Sequence, residues 1–305
     1  MPLIALDWGT TSLRAYLLDD AGRLLEKKSA PLGILNIPNN DFDAALEDTC
    51  GSWLANGLQA APILASGMIG SRQGWVEAAY VPCPANANQL ASRFAQVVTK
   101  KQRKLAIVPG ITTENSDGAP DVIRGEETQI FGALQAGDSS RHLFVLPGTH
   151  SKWAVVESGQ ITHFATFMTG EIFAALCDHT ILGRTMTGKI DDPAAFRRGV
   201  EFVINSGDNS GGLLHQLFSA RTLALFNKMP GEALYAYLSG LLIGSELRDA
   251  TRLFGQQDPV TIIAEAALAN PYQRAFGFMQ RNATIAPDNV TPRGLYFLAL
   301  ASGMI

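Results

Sequence analysis

Leu3-Ile4-Ala5-Leu6-Asp7-Trp8-Gly9-Thr10-Thr11-Ser12-Leu13-Arg14 is an apolar run that ends in a carboxylate, turns through Gly-Thr-Thr-Ser and resumes as Leu13 to Leu18. A turn at Asp19 to Gly22 leads on to Arg23 to Lys27, so the chain opens as a meander of three strands. The outline returns at Leu143 to Leu146, Pro147-Gly148-Thr149-His150-Ser151-Lys152, Trp153 to Glu157, a Ser158-Gly159 turn and Gln160 to Phe167. Setting Gly148-Thr149 on Gly9-Thr10, 139 positions apart, places Ser151 on Ser12 and Ala154 on Ala15. Such internal similarity implies two lobes of like topology, each opening with a hairpin loop sized for a phosphate. Two unrelated β-hairpins would share the same outline by chance.

Working outward, helical spacing predicts helices over 41–54 (Asp41 as N-cap), 88–101 and 126–136. Strands are expected at Pro62 to Ala65 and Leu105 to Pro109, and a polar, glycine-rich loop follows the first of them from Ser66 to Gly74. Later helices are expected over 171–182, 193–205, 213–226 and 231–254, then a strand at 260–264 and a last helix near 293–301. Alternation of strands and helices makes this an α/β protein.

Composition narrows the partner class. The 305 residues are 47% hydrophobic and 17% charged, as in a folded globular chain with core to spare. Lys and Arg number 24 against 28 Asp and Glu, a net charge of −4, so no basic field is present to hold nucleic acid and a small-molecule partner is expected. Cys50, Cys83 and Cys177 lack C-x-x-C spacing, which argues against a disulfide framework or zinc site and for a reducing cytoplasm. The N-terminus does not read as a signal peptide, and the apolar stretch around Leu238 to Ile243 is too interrupted and too closely flanked by charge to span a membrane. The residues leave the oligomeric state open, a homodimer included.

A carboxylate that ends a buried strand just before Gly-Thr-Thr sets a metal-binding charge beside backbone N–H groups that can approach phosphate. Asp7, Gly9, Thr10 and Thr11 supply that arrangement, although an ordinary hairpin turn uses the same residues. Gly148, Thr149, His150, Ser151 and Lys152 add hydroxyls, an imidazole and an ammonium; Lys152 also reads as a surface lysine. Polyphosphate held between two such turns is a recurrent solution for nucleotides.

The strings Asp7 to Arg14 and Leu146 to Trp153 resemble the phosphate loops of the sugar kinase, heat-shock chaperone and actin superfamily. Together with Gly67-Met68-Ile69-Gly70-Ser71-Arg72-Gln73-Gly74-Trp75-Val76-Glu77, Arg124-Gly125-Glu126-Glu127-Thr128-Gln129 and Met168-Thr169-Gly170-Glu171, they resemble more narrowly the 2-dehydro-3-deoxygalactonokinase family. The resemblance implies two ribonuclease-H-like lobes of actin-like ATPase type with mixed sheets and a nucleotide cleft. The first phosphate loop and sugar-acid pocket would lie in residues 1–135. The second phosphate loop and nucleotide site would lie in 136–305, with the last helix able to cross back. It implies ATP and Mg²⁺ as cofactors, with Asp7 holding the metal through water. Thr10, Thr11, Arg14 and the Gly148 to Ser151 turn would hold phosphate, and Lys152 would neutralise developing charge. It implies transfer of the ATP γ-phosphoryl group to O6 of 2-dehydro-3-deoxy-D-galactonate, giving 2-dehydro-3-deoxy-6-phosphogalactonate in galactonate catabolism.

A sugar hydroxyl also needs a carboxylate near its proton. Glu126 and Glu127 open a helix just before the second phosphate loop, and since consecutive helix positions point about 100° apart, one of them aims at the reaction. By similarity to related phosphatases the expectation falls on Glu127; the bland alternative is that both complement the helix dipole. A 2-keto acid wants a guanidinium. Arg72 is the first candidate and Arg124 the second, with Ser66, Ser71, Gln73 and Trp75 to read hydroxyls or stack on the carbon chain, and Glu171 joins the substrate set through its motif. Arg72 in a glycine-rich loop also reads as a solvated side chain.

Gly183-Arg184-Thr185-Met186-Thr187-Gly188-Lys189-Ile190 nearly spells a Walker A loop, but Ile190 stands where a hydroxyl must meet Mg²⁺. The five histidines show no metal-ligand spacing, and neither G-x-S-x-G nor G-x-G-x-x-G is present. The late strand runs into Ala264-Glu265-Ala266-Ala267, where superfamily members place a glycine-rich turn for adenosine. Gly240 and Gly244 stand in for it as nucleotide contacts or simply mark tight helix packing. Two other functions stay open: a phosphoanhydride phosphatase of the same fold, and a non-catalytic sensor of nucleotide or sugar acid.

Overall fold

The computed structural model describes residues 1–55, 57–134, 140–207 and 211–305. In chain order the elements begin β1 (Leu3–Trp8), β2 (Leu13–Leu18), β3 (Leu24–Ala30), α1 (Phe42–Ala55), β4 (Ile63–Ser66), β5 (Val81–Pro82), α2 (Ala87–Ala91), β6 (Ala95–Val98), β7 (Lys104–Ile107), β8 (Ile111–Glu114), β9 (Pro120–Ile123) and α3 (Glu126–Ala133). They continue β10 (His142–Leu146), β11 (Ser151–Glu157), β12 (Gln160–Phe167), α4 (Thr169–His179), α5 (Pro193–Ile204), α6 (Gly212–Leu225), α7 (Leu234–Phe254), β13 (Val260–Ile262), α8 (Ala266–Phe278), β14 (Ala283–Ile285) and α9 (Val290–Ala301).

Two compact units result, the first made of residues 1–140, 156–164 and 287–305 and the second of 141–155 and 165–286. The expected boundary at 135/136, and the expected end of the 126–136 helix, fall outside the described residues.

In the first unit six strands lie in the order β3-β2-β1-β4-β7-β6. β1 runs antiparallel to β2 and parallel to β4, in a register that sets Asp7 opposite Arg14 on one side and Ser66 on the other. β1 is buried on both faces: Ile4, Leu6 and Trp8 join Phe42, Leu46 and Trp53 of α1 in one core, and Leu3 and Ala5 on the opposite face are buried as well. α3 crosses α9 where Gly132 meets Gly294; a Cβ on Gly294 would lie 1.9 Å from the Thr128 carbonyl oxygen.

The second sheet has the order β12-β11-β10-β13-β14, with β13 parallel to β10. Both sheets therefore start with a three-strand meander and continue with a parallel strand beside its first member. Strand-by-strand, this is the repeat that the two Gly-Thr turns foretell. The core of the second unit gathers Trp153, Phe196, Tyr237 and Phe276 around α7. α5 is started by Asp192, whose carboxylate accepts from the N–H groups of Ala194 and Ala195, both at 3.0 Å, with Pro193 at its first position.

Two expectations need correction. The helix expected over 88–101 is a single turn and a half, α2, followed by β6. Asn86 and Gln89 cap it reciprocally, but Val97 and Val98 favour a strand and pair antiparallel with Leu105 and Lys104 of β7. α8 was not expected at all, since Pro271 and Gly277 weaken its helical signal. Buried Ala269, Tyr272, Ala275 and Phe276 nevertheless fall at helical spacing. No helix among the described residues is long and apolar enough to cross a membrane.

Candidate active site

In the first unit the carboxyl ends of β1 and β4 and the start of α3 meet at one corner. Three backbones come together there because two glycines let them. Gly67 (φ 100°) and Gly125 (φ 109°) adopt a conformation that side chains resist, and a Cβ on Gly67 would lie 2.9 Å from the Trp8 carbonyl oxygen. A Cβ on Gly125 would touch the Gly67 Cα at 3.2 Å.

Glu127 is brought into this corner fully buried. Its Oε2 accepts the Gly125 N–H at 2.7 Å, and its Oε1 accepts the hydroxyls of Thr128 at 3.0 Å and Ser66 at 3.3 Å. Ser66 and Thr128 also lie 2.6 Å from each other, so one of the two hydroxyl protons is divided between that contact and Oε1. Burial, and then the neighbouring Glu126 charge, push the Glu127 carboxyl up to about 7. Glu126 points elsewhere, accepting the Arg124 N–H at 2.8 Å.

One strand away, burial also raises the Asp7 carboxyl, opposed by Arg14, whose guanidinium lies 3.5 Å from it. The turn after Asp7 is backed by the Gly33 to Asn36 segment: Ile34 and Leu35 N–H groups donate to the Gly9 and Thr10 carbonyls at 3.0 and 3.1 Å. That leaves the Thr10 and Thr11 side chains exposed.

The glycine-rich loop divides its candidates. Arg72 is 87% exposed and paired with Glu77 at 3.0 Å, and Gln73 is exposed as well, so neither is drawn into the corner. Trp75 belongs to the core, stacked on Phe42 at 5.8 Å and edge-on to Trp8 at 6.1 Å, which leaves it little ring face for a sugar. Arg124 behaves otherwise. Its Nη2 donates to the Ala78 carbonyl at 2.8 Å and its guanidinium lies 4.3 Å over the Tyr80 ring, while Nε and Nη1 are buried without a partner. The Ser71 hydroxyl is buried and unpartnered too. Unsatisfied buried donors are costly, and a guanidinium with two of them suits an anionic ligand.

In the second unit the Pro147 to His150 turn follows β10, and Gly170 lets the start of α4 press on it: a Cβ there would lie 2.3 Å from the Gly148 carbonyl oxygen. The Glu171 N–H donates to the Thr149 carbonyl at 2.9 Å, and its carboxylate meets His150 Nε2 at 2.5 Å. Glu171 thus braces the Pro147 to His150 turn from the first turn of α4. Thr149 and His150 are exposed, whereas Ser151 and Lys152 are buried. The Lys152 ammonium donates to the Thr166 hydroxyl at 2.8 Å, and the Ser151 hydroxyl donates to Glu246, a residue the sequence reading does not single out.

Beside the turn opens a cavity of about 720 Å³ whose wall includes Gly148, Gly170, Ser239, Ala266, Ala267 and Arg274. The glycine-poor stretch after β13 therefore does border this space. Gly240 and Gly244 do not: a Cβ on Gly240 would lie 2.2 Å from the Phe196 carbonyl oxygen, and one on Gly244 would lie 3.1 Å from the Val200 Cα, so both serve the α5–α7 crossing. The Walker-like segment forms a single 3₁₀ turn at Gly183–Thr185, without the strand and helix of a P-loop.

Comparison with known proteins gives the chain its relatives. A family model described as 2-keto-3-deoxy-galactonokinase matches residues 7–298. The 2-dehydro-3-deoxygalactonokinase of Escherichia coli (strain K12) is 33% identical over 299 residues, 98% of this chain and 97% of that protein. A crystal structure of a Sinorhizobium meliloti protein described as a 2-dehydro-3-deoxygalactonokinase superposes with a TM-score of 0.88 at 32% identity, covering 98% of each chain. The activator of 2-hydroxyisocaproyl-CoA dehydratase from Clostridium difficile, solved with bound ADPNP, superposes at 0.51 with 11% identity, covering 100% of this chain and 97% of that one. That distant likeness bears on the fold alone, which is of the actin-like ATPase type.

Proposed function

This chain belongs to the 2-keto-3-deoxy-galactonokinase family, and on that premise we propose that it transfers the γ-phosphoryl group of ATP to O6 of 2-dehydro-3-deoxy-D-galactonate. The product is 2-dehydro-3-deoxy-6-phosphogalactonate, within galactonate catabolism. Family membership supports the kinase chemistry and the sugar acid; O6 is chosen as the terminal hydroxyl.

The observation that carries the reading is Glu127, a buried carboxyl held near neutrality at the strand ends, one strand from Asp7. A base of this kind is matched to the pH at which it works, taking the sugar hydroxyl proton as the new P–O bond forms. The Gly125 N–H and the Ser66 and Thr128 hydroxyls keep its oxygens aimed and leave it ionisable. Arg124, with two unpartnered donors, supplies the guanidinium that a substrate carboxylate and α-carbonyl require, in preference to the solvated Arg72. In the first unit Thr10 and Thr11 offer hydroxyls to phosphate; in the second unit the Gly148 to His150 turn offers hydroxyl and backbone groups.

Among the described residues no three acidic, His or Cys side chains gather to cage a metal. The half-buried Asp7 carboxylate at the end of β1, just before the exposed Thr10 and Thr11, fits Mg²⁺, which is commonly held by one or two carboxylates, waters and substrate phosphates; Asp7 would hold it, and the ion would neutralise charge on the transferring phosphoryl group. Free Cys50, Cys83 and Cys177 support a reducing cytoplasm as the place of work.

The test is coupled ADP release with Mg-ATP and 2-dehydro-3-deoxygalactonate, its gluconate epimer or no acceptor. ADP only with the galacto acid is the expected result. Turnover without acceptor would replace the kinase by a phosphatase, equal rates with both acids would widen the substrate to 2-keto-3-deoxy acids, and silence in all three would favour a sensor.

A further inference from the structure

Glu246 lies on α7, buried at 3% exposure, in none of the sequence motifs and outside the catalytic corner of the first unit. A buried charge in an apolar core is expensive unless its lone pairs are filled, and here they are filled from three separate segments. Its Oε1 accepts the Ser151 hydroxyl at 2.6 Å and the Trp153 indole N–H at 2.7 Å, both from β11. Its Oε2 accepts the Tyr272 hydroxyl of α8 at 2.6 Å. The Thr169 side chain at the start of α4 hydrogen-bonds to it as well.

This cluster lies beside the 720 Å³ cavity. Ser151 follows the Pro147 to His150 turn, Thr169 precedes Gly170, and the Gly148 and Gly170 backbones press on each other just above. Tyr272 and Thr169 themselves line the cavity. One carboxylate therefore ties the start of β11, which follows the Pro147 to His150 turn, to the start of α4 and the α8 wall.

The hydrogen-bond count also changes the role of Ser151. Its single proton is given to Glu246 and the residue is wholly buried, so Ser151 anchors the loop and has no donor left for a phosphate oxygen.

We propose that Glu246 is a positioning residue for nucleotide, acting through Ser151 and Thr169 on the shape of the second phosphate turn; this rests on reading that turn as the nucleotide site. An amide cannot replace the carboxylate without loss. The Trp153 N–H can only donate, so a glutamine must keep its oxygen toward Ser151 and Trp153 and turn its NH₂ on Tyr272 and Thr169. Those hydroxyls then have to reverse and accept.

The experiment is steady-state kinetics of Glu246→Gln with ATP and the sugar acid varied separately, alongside calorimetric titration with Mg-ADP and thermal unfolding. The expected result is a rise of about tenfold in KM for ATP and in Kd for ADP, the loss of roughly one charged hydrogen bond, with KM for the sugar acid within about twofold. A purely structural role would lower the unfolding temperature and leave both KM values unchanged, which overturns the proposal. If Glu246→Gln does not fold, Ser151→Ala removes one donor from the same cluster and is expected to raise KM for ATP about threefold; an unchanged value overturns the proposal equally. Absence of ADP binding by the unaltered protein would overturn the nucleotide reading and this proposal with it, whereas normal binding by both proteins would overturn this proposal alone.

Discussion

Replacing Glu127 by Gln should make the protein inactive and, above neutral pH, more stable. The carboxyl rises from an ordinary value of 4.5 to about 7, burial first and Glu126 second, which corresponds to about 3 kcal/mol at about 1.4 kcal/mol per pH unit. The folded state keeps its proton to higher pH than the unfolded chain does. Stability is therefore greatest below about 4.5, falls as pH rises to about 7 and is flat above, as far as this group is concerned. Glutamine removes that slope. Its oxygen can take the Gly125 N–H, and its NH₂ faces the Ser66 and Thr128 hydroxyls, which must turn round and accept, with one hydroxyl proton kept in the bond between them.

Unfolding by denaturant at pH 5, 6, 7 and 8 should show the variant gaining on the natural protein by about 3 kcal/mol between the ends of the series. Over the same range kcat/KM of the natural protein should climb about tenfold per pH unit until about pH 7, and the variant should lose on the order of a hundredfold or more in turnover while still binding ATP. A stability difference that stays constant from pH 5 to pH 8 would refute the buried, neutral-range carboxyl. Full turnover by the variant would refute its role as base.

Arg124→Gln should raise KM for the sugar acid by about tenfold to a hundredfold with KM for ATP unchanged, since the two unpartnered donors go with the guanidinium, along with its bond to the Ala78 carbonyl; equal changes in both constants would count against a carboxylate contact. Asp7→Asn should cut turnover at least about a hundredfold and shift the Mg²⁺ titration to higher concentration, read by ADP release across a metal series. Gly294→Ala, whose Cβ would lie 1.9 Å from the Thr128 carbonyl oxygen, should cost at least about 2–3 kcal/mol and lower turnover too, because α3 carries Glu127; calorimetry and the kinase assay read both.

The fold was legible where the physics is local. Apolar runs bounded by Gly-Thr turns mark the two meanders, and Asp41 marks the helix start behind the first. Residues 88–101 misled because a capped helical start and a β-branched strand share one apolar stretch, and only pairing with β7 decides where one ends. α8 was hidden because burial of Tyr272 and Phe276 overrides the propensity of Pro271 and Gly277. Of the site, the residue types were readable but not their directions. Glu126 and Glu127 are adjacent letters, and what separates them is that one meets the Arg124 N–H and the other the Ser66 hydroxyl, 61 residues away in the chain.

By itself, then, the sequence determined the α/β class, the internal repeat, the two Gly-Thr turns and the family, because these depend on periodicity, on glycine and on short motifs. Tertiary structure alone decided that Arg124 keeps unpaired donors while Arg72 is solvated, and that Trp75 stacks in the core. It also showed that Gly240 and Gly244 seat one helix on another, and that Glu246 ties β11, α4 and α8 together. Each of these turns on which groups from distant segments share a desolvated space, and burial sets both the cost of an unmet donor and the affinity of a carboxyl for its proton.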